Sequence, residues 1–175
     1  KINYLLEMRA SGRDKVQDYA DKFGCEFHAG EKPWGLGADK VDIMMPCATQ
    51  NDVNMDSAKK IAASGIKYYI EVANMPTTND ALEFLKEQKH MVIAPSKAVN
   101  ACGVAVSALE MAQNAERLYW TAEEVDAKMH QIMANIYHSS VAAAERYGLG
   151  YDLVAGANIV GFQRVADAMM AQGIF

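Results

Sequence analysis

Apolar residues in the first part of the chain recur at the spacing of one helix face among charged neighbours. Over residues 4–23 this pattern predicts a surface helix, or two short helices broken near Ser11–Gly12, with Gly24 as the end. The short segment 25–28 could form a strand. Residues 32–37 predict a loop because proline and glycine are concentrated there.

Short apolar segments then alternate with helical patterns. Residues 41–46 are mostly apolar and end in proline, which predicts a buried parallel strand, and 68–72 and 91–94 predict two more strands. The intervening helices are expected at 54–64, with Asn54 as N-cap and Gly65 as the end, and at 79–88, with Asn79 as N-cap. This alternation predicts an α/β fold, a doubly wound parallel sheet covered by helices.

Polar turn residues follow each predicted strand. Because ligands bind beyond the carboxyl ends of the strands in such sheets, we expect segments 47–51, 73–76 and 95–97 to converge on one rim. Asn74 there is a common turn residue, but its amide could also bond a ribose hydroxyl or a carboxamide. For Thr49, Gln50 and Asn51, turn, helix cap and ligand contact remain open interpretations.

A pocket helix is predicted over residues 98–115. It places Asn100, Val104 and Ser107 on one side, and Gly103 would allow another group to approach its backbone. Small residues with a few hydroxyl and amide groups are typical of a cleft wall that holds a small polar ligand. Tight helix packing is the alternative explanation of the same residues.

The alternation stops after residue 115, and a helical tail follows. Thr121–Glu124 has the pattern of a capping box and begins a long helix that runs to about Tyr147 and ends at Gly148. A final helix is predicted at about 157–172. We therefore expect residues 118–175 to form a helical tail that packs back on residues 1–117.

Composition narrows the class of protein. The chain has 175 residues, 51% of them hydrophobic and 22% charged, with a net charge of −5, which argues against nucleic acid as a partner. No apolar run approaches the ~18 residues that span a bilayer. The odd count of 3 cysteines suits the cytoplasm, and the 4 scattered histidines give no metal-ligand spacing.

Catalytic motifs are absent from the sequence. It holds neither G-x-S-x-G nor H-E-x-x-H, and Glu71 and Asp42 are interpreted as paired structural carboxylates. The glycine pairs at 35–37 and 148–150 lack the third glycine of a phosphate-binding turn. We therefore expect the sheet to be partial, with its first strand-turn-helix units upstream of Lys1.

Five ordered segments carry a family resemblance. They are 46–51 (PCATQN), 73–78 (ANMPTT), 94–107 (APSKAVNACGVAVS), 120–126 (WTAEEVD) and 154–162 (VAGANIVGF). Together they resemble the carboxyl-terminal part of bacterial glutamate dehydrogenases, and the similarity is greatest to the NAD-dependent hexameric type. The resemblance covers essentially the whole chain and implies a partial Rossmann-like sheet. Residues 1–117 would then be the later part of the dinucleotide-binding domain, and the tail would extend toward a missing substrate domain.

The resemblance also implies roles for single residues. Ser107 matches the serine that contacts the side-chain carboxylate of glutamate, and Val104 matches a residue that shapes the same pocket. Asn74 matches an asparagine near the nicotinamide ribose, and Ala48 and Thr49 match the strand end beside the cofactor. The catalytic lysine and aspartate are expected upstream, so this chain would hold no catalytic residue and would be inactive alone.

The implied reaction is oxidative deamination of L-glutamate to 2-oxoglutarate and ammonia by a cytoplasmic homohexamer, with NAD as cofactor and NADP not excluded. Cys102 and Ala108 stand where the family usually has glycine and add bulk beside the pocket helix. The alternatives are a dehydrogenase of an apolar amino acid, or a non-catalytic interaction module that keeps the fold. Ser107 favours an acidic substrate, because a buried hydroxyl left unpaired costs about 1–3 kcal/mol.

Overall fold

The computed structural model describes residues 1–12, 15–36 and 41–173. They divide into two units, Lys1–Pro33 and Trp34–Phe175. The first unit contains helices α1 (Ile2–Ala10) and α2 (Val16–Phe23), which confirms the prediction of two short helices. Gly24 ends α2 in the left-handed conformation, with φ 65°. The ring of Tyr4 packs edge-on against Phe23 at a centroid distance of 5.5 Å.

The expected strand at 25–28 is wrong. No residue of this segment is in a strand, and Phe27 remains 43% exposed. The amide of Cys25 instead bonds the carbonyl oxygen of Ala20 at the end of α2. A strand needs a neighbouring strand to pair its backbone groups, and none of the strands in the described parts of the chain pairs with this segment.

The second unit contains a three-stranded parallel sheet in the order β1-β2-β3. The strands are β1 (Ile43–Met44), β2 (Tyr68–Ile70) and β3 (Val92–Ala94). They alternate with helices α3 (Met55–Ala63) and α4 (Asn79–Lys86). The α/β alternation predicted from the sequence is therefore confirmed, and the sheet is partial.

One face of the sheet carries the core. Met44, Tyr69 and Ile93 lie in register across the three strands, and all are buried with Ile61 and Leu85 of the flanking helices. The side chain of Ile43, one residue before Met44 in β1, points to the opposite face of the sheet and is 50% exposed. The parallel strand expected at 41–46 is therefore present as Ile43–Met44 but is buried on one face only, since successive side chains point to opposite faces and only the face of Met44 meets this core.

The N-caps of α3 and α4 lie at or next to the predicted residues. Asn54 caps α3, as expected, since its side-chain oxygen accepts a hydrogen bond from the amide of Ser57 at 3.0 Å. The N-cap of α4 is Thr78, one residue before the predicted Asn79. Thr78 keeps an extended backbone with ψ 152°, so Asn79 is already the first helical residue.

The predicted pocket helix is two helices. α5 (Ser96–Val99) and α6 (Ala101–Glu116) are separated at Asn100, whose φ of −90° and ψ of 5° interrupt the helix. α6 ends at Arg117, which adopts a left-handed φ of 57°. The helix expected over 98–115 is therefore present for most of its length, but it is interrupted at Asn100.

The tail consists of α7 (Ala122–Arg146) and α8 (Leu153–Gln172). The capping box at Thr121 and Glu124 is confirmed, with hydrogen bonds of 2.7 and 3.2 Å. α8 begins four residues earlier than predicted, because the Asp152 side chain accepts a hydrogen bond from the amide of Ala155 and caps it. No helix of the described residues is long and apolar enough to cross a membrane.

Candidate functional site

The carboxyl ends of the three strands are joined by backbone hydrogen bonds. The amide of Ala73, after β2, bonds the carbonyl oxygen of Pro46, after β1, at 3.0 Å. The amide of Asn51 bonds the carbonyl oxygen of Met75 at 2.9 Å. Segments 47–51 and 73–76 therefore lie together at one rim, as the parallel topology predicts.

Glu71 connects this rim to the third segment. The carboxylate is only 3% exposed, and it accepts a hydrogen bond from the backbone amide of Ser96 at 3.2 Å, at the start of α5. A charged acceptor at a helix start is favourable because the first amides of a helix lack internal partners. Glu71 thus has the structural role expected from the sequence. Asp42 is also paired, with Lys67 at 2.9 Å.

Ala48 and Thr49 lie in the loop that follows β1, and both are exposed. Asn51 in the same loop adopts a positive φ of 55°, so it is a turn residue, while the cap of the next helix is Asn54. The structure thus assigns the turn and cap roles to other residues of this loop. Ala48 and Thr49 are left facing solvent at the rim.

Asn74 lies in the loop after β2 and is exposed. Its side-chain Oδ1 accepts a hydrogen bond from Nδ2 of Asn100 at 2.6 Å, and this bond joins the loop to the start of α6. The sequence pattern indicates both residues as candidate ligand contacts but does not predict that they contact each other. Their separation of 26 positions leaves no local signal, since only the sheet topology brings the two segments together.

One face of α6 is open. Gly103, Val104, Ser107, Ala108, Glu110 and Met111 are all exposed, whereas Ala105, Val106 and Leu109 are half-buried. Val104 is 74% exposed, and a Cβ atom built on Gly103 would meet nothing within 4 Å. Tight packing of this face is therefore not seen among the described residues. The part of this face from Gly103 to Ala108 has the small side chains expected of a cleft wall.

Ser107 lies in the middle of that open face. Its hydroxyl donates to the carbonyl oxygen of Gly103, one turn earlier, at 3.3 Å. This bond uses the single hydroxyl proton and leaves the oxygen lone pairs accessible, and the proton can rotate toward a better acceptor. Of the two residues that depart from the family pattern, Ala108 shares this exposed face and Cys102 is half-buried.

Lys97 of α5 is exposed, and its ammonium group donates a hydrogen bond to Oδ1 of Asn158 on α8. This lysine belongs to segment 95–97, the third segment expected at the rim. The contact ties α5 to the tail, and it was not predicted because the two residues are 61 positions apart. Lys97 therefore has a packing role between the strand-end segment and α8.

The described rim and the open face of α6 present the hydroxyl groups of Thr49 and Ser107 and several side-chain amides, among them those of Asn74 and Asn100. Such groups bind and orient a ligand but do not accept protons efficiently at neutral pH. No three His, Cys, Asp or Glu side chains of residues 1–12, 15–36 and 41–173 are grouped so as to hold a metal ion. The hydroxyl and amide groups of the rim are suited to the recognition of a polar ligand.

Comparison with known proteins shows which family the chain resembles. A family model described as Glutamate/Leucine/Phenylalanine/Valine dehydrogenase matches residues 1–173. The NAD-specific glutamate dehydrogenase of Clostridium symbiosum is 74% identical over 174 residues, which are 99% of this chain and 38% of that protein. The NADP-specific glutamate dehydrogenase of Escherichia coli (strain K12) is 51% identical over 176 residues, with the same coverage of 99% and 38%.

Solved structures agree with these relatives. A glutamate dehydrogenase structure that is 74% identical matches with a TM-score of 0.92, over 99% of this chain and 38% of that one. A glutamate dehydrogenase of Plasmodium falciparum, 40% identical, matches with a TM-score of 0.88 over 99% of this chain and 37% of that one. The chain spans 38% of the length of the curated relatives it matches.

Proposed function

The chain belongs to the glutamate/leucine/phenylalanine/valine dehydrogenase family, and from that premise we propose that it is the carboxyl-terminal part of a glutamate dehydrogenase. The reaction is the oxidative deamination of L-glutamate. Its products are 2-oxoglutarate and ammonia, and a bound nicotinamide cofactor would accept the hydride from the α-carbon of glutamate. The relatives that are 74% and 51% identical are both glutamate dehydrogenases by name, which supports this proposal.

Substrate choice rests on Ser107 and Val104. Both lie on the exposed face of α6, three positions apart and therefore one turn from each other. In the proposal the Ser107 hydroxyl donates to the side-chain carboxylate of glutamate, and Val104 contacts its methylene groups. A leucine or valine substrate would offer no acceptor, so the hydroxyl would keep only its 3.3 Å bond to Gly103, and the complex would lack a hydrogen bond to a carboxylate, which contributes about 1.5–3 kcal/mol. This difference favours glutamate over the apolar substrates of the same family.

Cofactor binding rests on Asn74, Ala48 and Thr49. All three are exposed at the rim formed by the carboxyl ends of β1 and β2, which is the usual position of a dinucleotide in an open α/β sheet. The Oδ1 atom of Asn74 is engaged by Asn100, so its Nδ2 group remains as a donor and fits an oxygen of the nicotinamide ribose. The bound nicotinamide would supply the hydride acceptor.

NAD is the proposed cofactor, and NADP is the alternative. The relative with 74% identity is NAD-specific by name, whereas the relative with 51% identity is NADP-specific. In dinucleotide-binding domains the residue that distinguishes the two cofactors lies about 20 residues after the glycine-rich turn. This chain has no such turn, so its residues do not choose between them.

The domain assignment follows from the same proposal. Residues 1–117 form the later part of a dinucleotide-binding domain, including the pocket helix at 98–115, and residues 118–175 form a helical tail. The observed helices α7 and α8 fall within the tail, and the sheet falls within the first part.

A homohexamer in the cytoplasm completes the proposal. The resemblance to bacterial glutamate dehydrogenases supports the hexamer, and the three free thiols support a reducing compartment.

The test is an assay of the complete polypeptide that carries this chain. With NAD and with NADP, the rates for L-glutamate are compared with those for leucine, valine and phenylalanine. We expect turnover of glutamate, and Ser107→Val should lower kcat/KM for glutamate by about tenfold or more, since about 1.4 kcal/mol corresponds to each factor of ten. Preferred turnover of an apolar amino acid would refute the substrate, and no turnover of any of them would favour a non-catalytic module.

Ser64→Ala is the matched control for Ser107. The Ser64 hydroxyl also donates to a carbonyl oxygen of its own helix, that of Ile61 at 2.6 Å, but it precedes β2 and so lies at the opposite end of the sheet. We expect this variant to keep the wild-type kcat/KM. An equal loss in both variants would show that the effect of Ser107 is not local to the pocket.

The 175-residue chain alone should not oxidise glutamate. Its described rim offers hydroxyl and amide groups for binding, and catalysis also requires the opposite wall of the cleft to hold both reactants in place. The measurement is NADH formation by the purified chain at high enzyme concentration. Turnover above that of a buffer blank would refute the proposed division of the site.

A further inference from the structure

Two asparagine side chains form a bridge between the strand-end loop and the pocket helix. Nδ2 of Asn100 donates to Oδ1 of Asn74 at 2.6 Å, a short distance for an amide pair. Asn74 is exposed and Asn100 is half-buried. The bridge therefore lies at the surface of the rim, between the proposed cofactor side and the proposed substrate side.

The backbone on the Asn74 side of the bridge is held from both neighbours. The amide of Ala73 bonds the carbonyl oxygen of Pro46 at 3.0 Å, and the carbonyl oxygen of Met75 accepts the amide of Asn51 at 2.9 Å. Met75 also adopts a positive φ of 45°, a conformation that is rare for a residue with a side chain. With its backbone fixed in this way, Asn74 keeps freedom only in its side-chain torsions.

The backbone on the Asn100 side is held as well. Its amide bonds the carbonyl oxygen of Ser96 at 2.9 Å, and its own carbonyl oxygen accepts the amide of Gly103 at 3.3 Å. Asn100 stands at the break between α5 and α6, and its side chain makes no capping hydrogen bond to α6. The side-chain bond that Asn100 makes is the one from its Nδ2 atom to Asn74.

The bridge determines which end of the Asn74 amide faces a ligand. A carboxamide has one acceptor oxygen and one donor NH₂ group, and rotation about its last torsion exchanges them. Because Asn100 occupies the oxygen, the NH₂ group of Asn74 is directed away from Asn100 and is available to an acceptor. Without the bridge, both orientations of the amide would be accessible, and the NH₂ group would be presented for only part of the time.

We propose that Asn100 is a positioning residue that fixes the orientation of the Asn74 amide for cofactor binding. This inference rests on the proposed function, since it assumes that Asn74 donates to the nicotinamide nucleotide. Asn100 acts through Asn74 and not on the cofactor. Its contribution to cofactor affinity should therefore disappear when Asn74 no longer carries an amide.

The test measures NADH dissociation constants by fluorescence titration of the complete polypeptide, in a double-mutant cycle. Asn100→Ala should weaken NADH binding about three- to tenfold, the value of one ordinary hydrogen bond. Asn74→Ala should weaken it at least as much. The double variant should bind NADH as Asn74→Ala does, because Asn100 has nothing left to orient.

Asn100→Asp supplies a readout that a merely structural role would not produce. Aspartate has the shape of asparagine but offers only acceptors at neutral pH, so the Asn74 amide must rotate and donate to it, and its oxygen then faces the cofactor. We expect Asn100→Asp to weaken NADH binding more than Asn100→Ala in the wild-type background, and to have no effect in the Asn74→Ala background.

Asn135→Ala is the matched control. It removes an exposed amide pair of the same kind, in which Nε2 of Gln131 donates to Oδ1 of Asn135 at 2.8 Å on α7, and it should leave NADH binding unchanged. Wild-type affinity in Asn100→Ala, or equal losses on the two backgrounds of Asn74, would overturn the inference. If wild-type protein binds NADH and oxidises glutamate, such a result leaves the proposed function standing, whereas a wild type that does neither overturns both.

Discussion

Gly156 is the position at which an added methyl group should be most damaging. It lies in the first turn of α8, where that helix crosses α7, and it is buried. A Cβ atom built on Gly156 would lie 2.0 Å from the carbonyl oxygen of Ser140 and 2.8 Å from its carbonyl carbon. The backbones of the two helices therefore touch directly, and the contact admits no side chain.

The cost of Gly156→Ala follows from this distance. Ordinary van der Waals contact begins at 3.4 Å, so α7 and α8 would have to separate by more than 1 Å, and the obstacle is backbone that cannot move aside like a side chain. Overpacking of a core costs about 1–3 kcal/mol and sometimes more, and the upper end applies here. The better helix propensity of alanine offsets about 1 kcal/mol of this destabilisation. A net destabilisation of about 2 kcal/mol or more is expected.

Urea denaturation followed by circular dichroism measures this change. Gly161→Ala is the control, since Gly161 lies in the same helix and a Cβ atom there would meet nothing within 4 Å. That variant should stabilise the chain by about 0.5–1 kcal/mol through helix propensity alone. Opposite signs for the two substitutions are the expected result, and a Gly156→Ala chain as stable as wild type would refute the argument from close helix contact.

Two further predictions concern the cap of α7 and the ionisation of buried or hydrogen-bonded tyrosines. Thr121→Ala removes the capping box of α7 and should lower the free energy of unfolding by about 1 kcal/mol, and an unchanged urea midpoint would contradict the assigned cap. The hydrogen bond with Tyr137 raises the pKa of Tyr151 to about 12, and burial raises that of Tyr69. Folding favours the protonated form of both phenols. Their contribution to the free energy of unfolding is therefore complete below about pH 10, and it is lost as pH rises through the pKa values of the folded state. Tyr137→Phe should let Tyr151 ionise at lower pH, as measured by tyrosinate absorbance, and an unchanged titration would exclude the contact.

Local sequence signals were sufficient for most of the secondary structure. Asn54 before α3, the Thr121–Glu124 pair before α7 and Gly24 after α2 all act at the positions predicted. Each of these signals works through the backbone of its own helix end, so neighbouring residues contain the necessary information. The segment at 25–28 shows the limit, because an apolar run becomes a strand only if another strand is placed beside it.

The amino-acid sequence was enough to predict the α/β alternation, the family and the candidate binding residues at the rim, because periodicity, caps and ordered motifs are properties of adjacent positions. Tertiary structure alone decided that Asn100 bonds Asn74, that Lys97 bonds Asn158, and that Gly156 touches Ser140. It also decided that the Ser107 face of α6 is open and that β1 is buried on one side only. These contacts join segments that lie far apart along the chain, and only the packing of parallel strands and crossing helices brings their atoms within bonding distance.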